Sequence, residues 1–406
     1  MRIFRHIYLF LILALVSCEK ETIIPDAKKD TCNRTVLVYM LASNSLSSYA
    51  EPNIDDIAKA VGKGALNDGN LLLYIDKYNA APVLERLSLK NNIYERAVVK
   101  TYDNDSSATR QAMNAVLDDV RTLYPAASYG MILWSHANGW YPSFKSTRSF
   151  GDDEGYSLNI DDLAEAIPDD MLDFIICDAC YMGCAEIAYE LRGKTRYYIS
   201  SVAPVMGIGF PYKDIVPCLF SCEKSLEEAL VDACKAYMSF YRKYSEPFGT
   251  ISLVDTREFD VLARSVKAIL SDAGGVDLDG IQQFSHEKYV TTDYENLFFD
   301  LDDYMRAAAG IDTLATLLPD VPSGDDLVDK SSSDSRLLYD AFREALERSV
   351  VFADATAEYG CNVNRYFRVY PIDTYCGITA YIPGARSEKN IENYYHRLKW
   401  YKDVYQ

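Results

Sequence analysis

The chain is expected to fold as an α/β protein, with a mostly parallel sheet flanked by helices and a C-terminal α+β extension. Three observations carry this. Apolar runs of strand length alternate with helix-length amphipathic runs from residue 35 to about 255, the order that builds a parallel sheet with covered faces. The runs 129–133 and 172–176 read as buried strands. A short amphipathic helix between them makes a strand–helix–strand crossover, right-handed by rule, so these strands run parallel.

Taken in order, 35–41 is β-branched and apolar, the first core strand, and 44–53 is loop-like before a helix over 54–61. A second strand over 71–75 ends at Asp76, and 83–89 alternates as an edge hairpin would. Ser106 or Ser107 can cap a helix reaching about Tyr124, with Ala112, Val116, Val120 and Leu123 on one face. The third strand, 129–134, delivers His136. Ile160, Leu163, Ala164 and Ile167 then share a helical face, stopped by Pro168. The strand 172–176 delivers Cys180, and a helix follows from near Gly183 to about Arg192. Strand 196–200, helix 225–241 and strand 249–254 continue the alternation. Beyond them lie a helix over 258–270, a polar turn-rich stretch over 323–335, a helix over 336–349 and strand-like segments at 365–370 and 377–382.

Nearly half of the 406 residues are apolar (49%), enough for a large core, and the formal net charge is −19. An acidic chain without basic stripes lacks the footprint that nucleic acid binding requires. The first residues carry Arg2 and Arg5 ahead of an apolar run over 7–16, shaped like a signal peptide and shorter than the roughly 20 residues of a membrane span. It ends in Leu15-Val16-Ser17-Cys18, which resembles a bacterial lipobox with Cys18 as the lipidated residue; the alternative is an ordinary signal peptide cut near Ser17. Glu19, Lys20 and Glu21 resemble the acidic surface-export signal of outer-membrane lipoproteins. The expected organisation is therefore 1–17 signal peptide, 18–33 tether, 34–256 core and 257–406 extension. The protein is then exported and held to the outer membrane by its lipid alone. Of ten cysteines, lipidation of Cys18 leaves an odd number, hence at least one free thiol in a monomer.

Two stretches carry the chemistry. Trp134-Ser135-His136-Ala137-Asn138-Gly139-Trp140 follows one buried strand, and Cys177-Asp178-Ala179-Cys180-Tyr181-Met182-Gly183 follows the next. Reactive groups of open α/β sheets collect beyond the carboxyl ends of the strands, and adjacent strands lie about 4.8 Å apart. A His and a Cys there would stand side by side, as a thiol nucleophile and its base must. A helix starting near Gly183 would favour the Cys180 thiolate. His286 and His396 sit in polar, helix-like contexts and read as surface residues.

Both stretches resemble the catalytic segments of the clostripain family of cysteine peptidases, relatives of caspases and gingipains. The match is most specific at Asp178-Ala179-Cys180-Tyr181-Met182, and weaker similarity at 38–46, 299–304 and 377–383 extends it over about 34–385. The resemblance implies a caspase-like fold and an endopeptidase using a His136–Cys180 dyad and a thioester, with no third catalytic residue, metal or cofactor. Its substrate would be a protein or peptide. It implies an oxyanion site from the backbone amides of Cys180 and Ala137. Ala137 stands where the family has Gly, a strain if the turn requires positive φ. It implies that Asp178 lines a pocket for an Arg or Lys side chain. The loop after the next strand, from Ser201, is the second candidate for substrate contact, but Ser201-Val202-Ala203-Pro204-Val205 holds no acid. Some family members cut themselves between the His and Cys strands, where Lys145 and Arg148 lie.

Two other readings stay open at this point. A surface lipoprotein of the same fold could bind peptide or glycan without catalysis. Cys177 and Cys180 form a C-x-x-C spacing that could exchange disulfides, although Asp178-Ala179 between them and the His on the neighbouring strand speak for a peptidase. Zinc held by Cys177, Cys180 and Cys184 would lack a second C-x-x-C or His pair. The oligomeric state is not legible.

Overall fold

The computed structural model describes residues 33–103, 105–142, 149–286, 295–311, 330–386 and 388–406. In chain order its first half contains β1 (Arg34–Leu41), α1 (Ser47–Gly62), β2 (Asn70–Asp76), β3 (Val83–Lys90), β4 (Ile93–Thr101), α2 (Arg110–Leu123), β5 (Ser128–Trp134), β6 (Phe150–Asp153), β7 (Tyr156–Leu158), α3 (Ile160–Ala166), β8 (Leu172–Asp178) and α4 (Ala185–Glu190). The rest contains β9 (Thr195–Ser200), α5 (Tyr212–Leu219), α6 (Leu226–Tyr241), β10 (Thr250–Asp255), α7 (Phe259–Asp272), β11 (Phe299–Asp300), α8 (Leu301–Ala308), α9 (Lys330–Ser349) and β12 (Val350–Ala355). A hairpin, β13 (Glu358–Val363) with β14 (Tyr366–Pro371), then β15 (Thr379–Ala380), α10 (Lys389–Tyr395) and α11 (Lys399–Tyr405) complete it.

Nine strands form one sheet in the order β12-β10-β9-β8-β5-β1-β2-β3-β4. The five central strands, β9-β8-β5-β1-β2, are parallel, and antiparallel strands extend both edges. β1 shows why its sequence is apolar throughout. Leu37, Tyr39 and Leu41 enter the core against α2, α3, α4 and α7, while Val36, Val38 and Met40 enter the core against α1, α5 and α6. A strand buried on both faces has no polar side to show. The chain leaves β1 toward β2 and returns on the other side at β5, so the strand order reverses between β1 and β5. Loops beyond such a reversal bound the crevice where open α/β sheets bind ligands.

Three local expectations change. α1 begins at Ser47 rather than 54, with Pro52 inside it; this near the helix start, Pro removes only the bond to the Ser48 carbonyl. α2 is capped by Thr109, whose side chain accepts from Ala112 N–H, because Ser106 and Ser107 serve buried carboxylates instead. Ser106 Oγ donates to Asp153 at 2.7 Å and Ser107 Oγ to Asp76. β12, from the stretch assigned to the C-terminal extension, joins the central sheet against β10. Of the turn-rich stretch 323–335, residues 323–329 lie outside the described ones, and α9 already runs from Lys330.

Candidate active site

Four neighbouring parallel strands, β1, β5, β8 and β9, each deliver one segment to the crevice. β5 and β8 pair with Trp134 opposite Asp178, so His136 and Cys180, each two residues further on, emerge at matching heights. Ser135 fastens the His segment: its Oγ donates to Leu41 O at 3.2 Å and accepts from Asp152 N–H at 3.1 Å. His136 is half-buried, with Nε2 2.7 Å from the exposed hydroxyl of Ser45, in the loop after β1. That loop is held by Asn44, which donates to Leu41 O and Asp152 O and accepts from Leu46 N–H.

Ala137 is not strained. Positive φ in this turn occurs at Gly139 (+64°), not at residue 137. Ala137 forms an isolated antiparallel bridge with Phe150, made by Gly151 N–H to His136 O (2.9 Å) and Asn138 N–H to Ser149 O (3.0 Å). The Ala137 N–H takes no part in either bond, as an oxyanion donor requires, and its methyl is buried in the core. The Gly that matters is Gly139. A Cβ there would stand 2.6 Å from Tyr181 O and 2.6 Å from the Phe298 ring. The His and Cys segments therefore touch through bare backbone, with Phe298 stacked on Tyr181 at 5.0 Å between ring centres.

Tyr181, directly after Cys180, holds φ +59°, a conformation that a bulky residue adopts only where its surroundings enforce it. Here they do: Tyr181 N–H donates to Ala203 O (3.3 Å), Gly183 N–H to Ser201 O (2.8 Å) and Thr379 N–H to Gly183 O (3.0 Å). Cys180 is half-buried. Its Sγ meets the backbone of Val205, in the loop after β9, accepting from the N–H at 3.4 Å and donating to the carbonyl at 3.7 Å. The helix expected to act on the sulfur begins only at Ala185, capped by Cys184, and spans six residues. The Val205 amide is thus in direct contact with the sulfur.

The other predicted residues separate cleanly. Cys177 is fully buried on β8, its thiol donating to Tyr198 OH at 3.3 Å and pushed up to about 12 by burial, so it is a core side chain rather than half of an exchange pair. Cys184 is likewise buried. Ser201, expected to contact substrate, is fully buried, its hydroxyl donating to Ala203 O (2.9 Å) and bonded to Thr250 Oγ1 (2.7 Å). Asp178 is 5% exposed. Its Oδ2 accepts from Tyr212 OH (2.7 Å) and Phe210 N–H (3.1 Å), while burial pushes the carboxyl up to about 6. It anchors the loop after β9. Lys145, Arg148 and Cys18 lie outside the described residues. Among the described residues no three His, Cys, Asp or Glu side chains converge as a metal site needs, and no described helix is long and apolar enough to cross a membrane. Sequence reasoning singled out neither Ser45, Val205 nor Phe298 as a partner of the His and Cys segments, although Ser45 lies in the stretch 38–46 and Val205 in the loop after 196–200.

Three crystal structures share this architecture. An inactive zymogen of a C11 protease from Parabacteroides distasonis is 31% identical, with TM-score 0.75 over 93% of this chain and 99% of that one. A secreted C11 cysteine protease from Bacteroides thetaiotaomicron, in complex with an irreversible peptide inhibitor, is 27% identical, with TM-score 0.75 over 92% and 98%. A further structure of a secreted C11 cysteine protease from that organism, iotapain, shares the fold at 24% identity and TM-score 0.74, over 92% and 99%. No curated protein matches the chain. The family model Peptidase C11, clostripain family, matches residues 38–406, and the chain belongs to the clostripain family of cysteine peptidases.

Proposed function

We propose that the protein is an endopeptidase whose nucleophile is Cys180 and whose base is His136. The observation that carries this is the parallel register of β5 and β8, which sets the two residues abreast at the crevice. The imidazole takes the Cys180 thiol proton, and the resulting thiolate attacks the scissile carbonyl carbon. The oxyanion is held by the backbone N–H groups of Cys180 and Ala137. His136 returns the proton to the departing amine, leaving a thioester, and water activated by the same imidazole releases the acid. For the residue before the scissile bond, the resemblance implies Arg or Lys against Asp178. The burial of that carboxylate weighs against it.

The export reading stands beside this: Cys18 carries the lipid and tethers the domain to the outer membrane, where its substrates are proteins or peptides at that surface. The relatives from Bacteroides thetaiotaomicron are described as secreted, which supports export. Metabolic labelling with an alkynyl fatty acid, lost in Cys18→Ala, tests the anchor. Cleavage after Lys145 or Arg148 would open the segment between the His and Cys strands; active protein that stays a single full-length band on a denaturing gel refutes it.

The dyad is tested with iodoacetamide and a peptidyl ketone. Selective labelling should vanish in Cys180→Ala, fall in His136→Ala and persist in Cys177→Ala. Loss with Cys177→Ala would favour thiol exchange, and absence of selective labelling would favour a binding protein.

A further inference from the structure

The loop after β1 is built to present one hydroxyl. Asn44 is 2% exposed, and its amide holds the loop on several sides. Nδ2 donates to Leu41 O (2.8 Å), Asp152 O (2.7 Å) and, more loosely, Ser135 Oγ (3.4 Å), while Oδ1 accepts from Leu46 N–H (2.8 Å). The Asn44 carbonyl accepts from Ser47 N–H (3.1 Å) as α1 begins, and Ser43 O accepts from Glu154 N–H (3.4 Å). Ser45 sits between these anchors with its side chain exposed and its Oγ 2.7 Å from His136 Nε2. Ser135, which fastens the His segment, meets the same Asn44 amide, so the imidazole and the hydroxyl hang from one buried side chain.

A hydrogen bond to an exposed hydroxyl adds little to stability, but on an imidazole it decides which nitrogen carries a proton. Ser45 can turn its own proton into water and offer Nε2–H a lone pair. That pairing suits both states of the ring. Nε2 keeps its proton in the neutral imidazole and in the imidazolium, so Ser45 need not reorient while the other nitrogen gains and loses one. A dipole fixed in advance steadies the charge as it forms. The acids that close neighbouring strands have partners of their own: Asp76 bonds Ser107, Asp153 bonds Ser106 and Ser107 N–H, and Asp178 bonds Tyr212 and Phe210 N–H. The group on Nε2 is a neutral hydroxyl, which orients the ring without adding a charge.

We propose that Ser45 is a positioning residue for the dyad: its hydroxyl oxygen accepts from Nε2–H of His136 and so fixes the tautomer in which Nδ1 takes the Cys180 thiol proton and later gives it to the departing amine. This rests on His136 being the base. The test uses the full chain and fluorogenic peptide amides ending in Lys, Arg or Leu, the best of them for the parent being carried through every variant. Ser45→Ala should lower kcat at least about tenfold while KM stays within about twofold, because the lost contact orients the base and holds no substrate. Ser45→Thr, which keeps the hydroxyl, should recover most of the loss. Ser48→Ala, at an exposed serine in the first turn of α1, should match the parent. Ser45→Asp sets an anion beside Nε2 and favours the imidazolium, so the pH profile of kcat/KM should move to higher pH. A Ser45→Thr variant as slow as Ser45→Ala, or an unmoved profile in Ser45→Asp, overturns the positioning role and leaves Cys180 and His136 as the dyad. A parent that cleaves none of the peptides and whose Cys180 is not selectively labelled by iodoacetamide overturns the dyad itself, and the role of Ser45 with it.

Discussion

Glu186, in the first turn of α4, is fully buried. Its Oε1 accepts from Tyr381 N–H at 2.8 Å and from Tyr395 OH at 3.1 Å, whereas Oε2 has no hydrogen-bond partner among the described residues. Burial pushes the carboxyl from its ordinary 4.5 up to about 7. The folded state therefore holds a proton that the unfolded chain releases, and stability is greatest below the unfolded value and falls as pH rises through 7. That gap corresponds to about 3 kcal/mol at pH 8. Glu186→Gln keeps the shape and cannot ionise. Its amide N–H groups bring a cost of about 1–3 kcal/mol for poor pairing, but that cost is the same at every pH. The decisive quantity is the change between pH values: relative to the parent, the variant should gain about 3 kcal/mol between pH 4.5 and pH 8. Urea unfolding of both proteins at the two pH values measures it, because Asp76, Asp178 and Asp300 titrate alike in both and cancel. A gain below about 1 kcal/mol would refute the reasoning, since it would mean that Glu186 ionises in the fold as it does in water.

Gly139→Ala should lower stability by about 1–3 kcal/mol through its left-handed φ alone, and peptidase activity at least about tenfold through displacement of Tyr181 and Phe298; thermal unfolding and turnover read the two effects separately. Ala137→Gly should leave kcat/KM within about twofold, since residue 137 needs no positive φ, and cost about 1 kcal/mol through the looser unfolded chain. Tyr212→Phe removes the hydroxyl donor to Asp178 and should cost about 2 kcal/mol at pH 8. Because the folded carboxyl, already near 6, would rise further, its stability should fall over a wider pH range above 5 than the parent's, as unfolding midpoints would show.

The placement of His136 and Cys180 beyond adjacent strand ends was legible because it needs only two buried strands, one crossover and the parallel register that follows from them. The identity of their neighbours was not. Ser45 and Val205 reach the dyad from the loops after β1 and β9, and nothing local in Asn44-Ser45-Leu46 or Pro204-Val205-Met206 announces which strand ends adjoin. The N-terminal part of α1 was hidden by Pro52 and by a run of serines whose preference is for turns. Ser106 and Ser107 looked like caps because a cap and a partner for a buried carboxylate need the same hydroxyl, and only the fold reveals Asp76 and Asp153 beside them. β12 is only half-buried along its length, as an edge strand can be, and follows α9 without an intervening turn, so its sequence does not separate it from the helix.

The tyrosine after the nucleophile sits at positive φ, and such strain persists only where packing over-determines it. Much of that packing comes from far down the chain. Phe298 stacks on Tyr181 and blocks the space above Gly139. Thr379 bonds Gly183. Trp140, which ends the His segment, is fully buried against Tyr381 and Tyr395, with ring centres 4.9 and 4.8 Å away. The backbone N–H of Tyr381 and the hydroxyl of Tyr395 are also the partners of Glu186, so α4 and the His segment rest on the same two residues. The boundary near residue 256 divides the sequence but not the site. The strands before it bring the His136 and Cys180 segments to adjacent strand ends, and the residues after it hold the two loops in the conformations that their backbones would not keep alone.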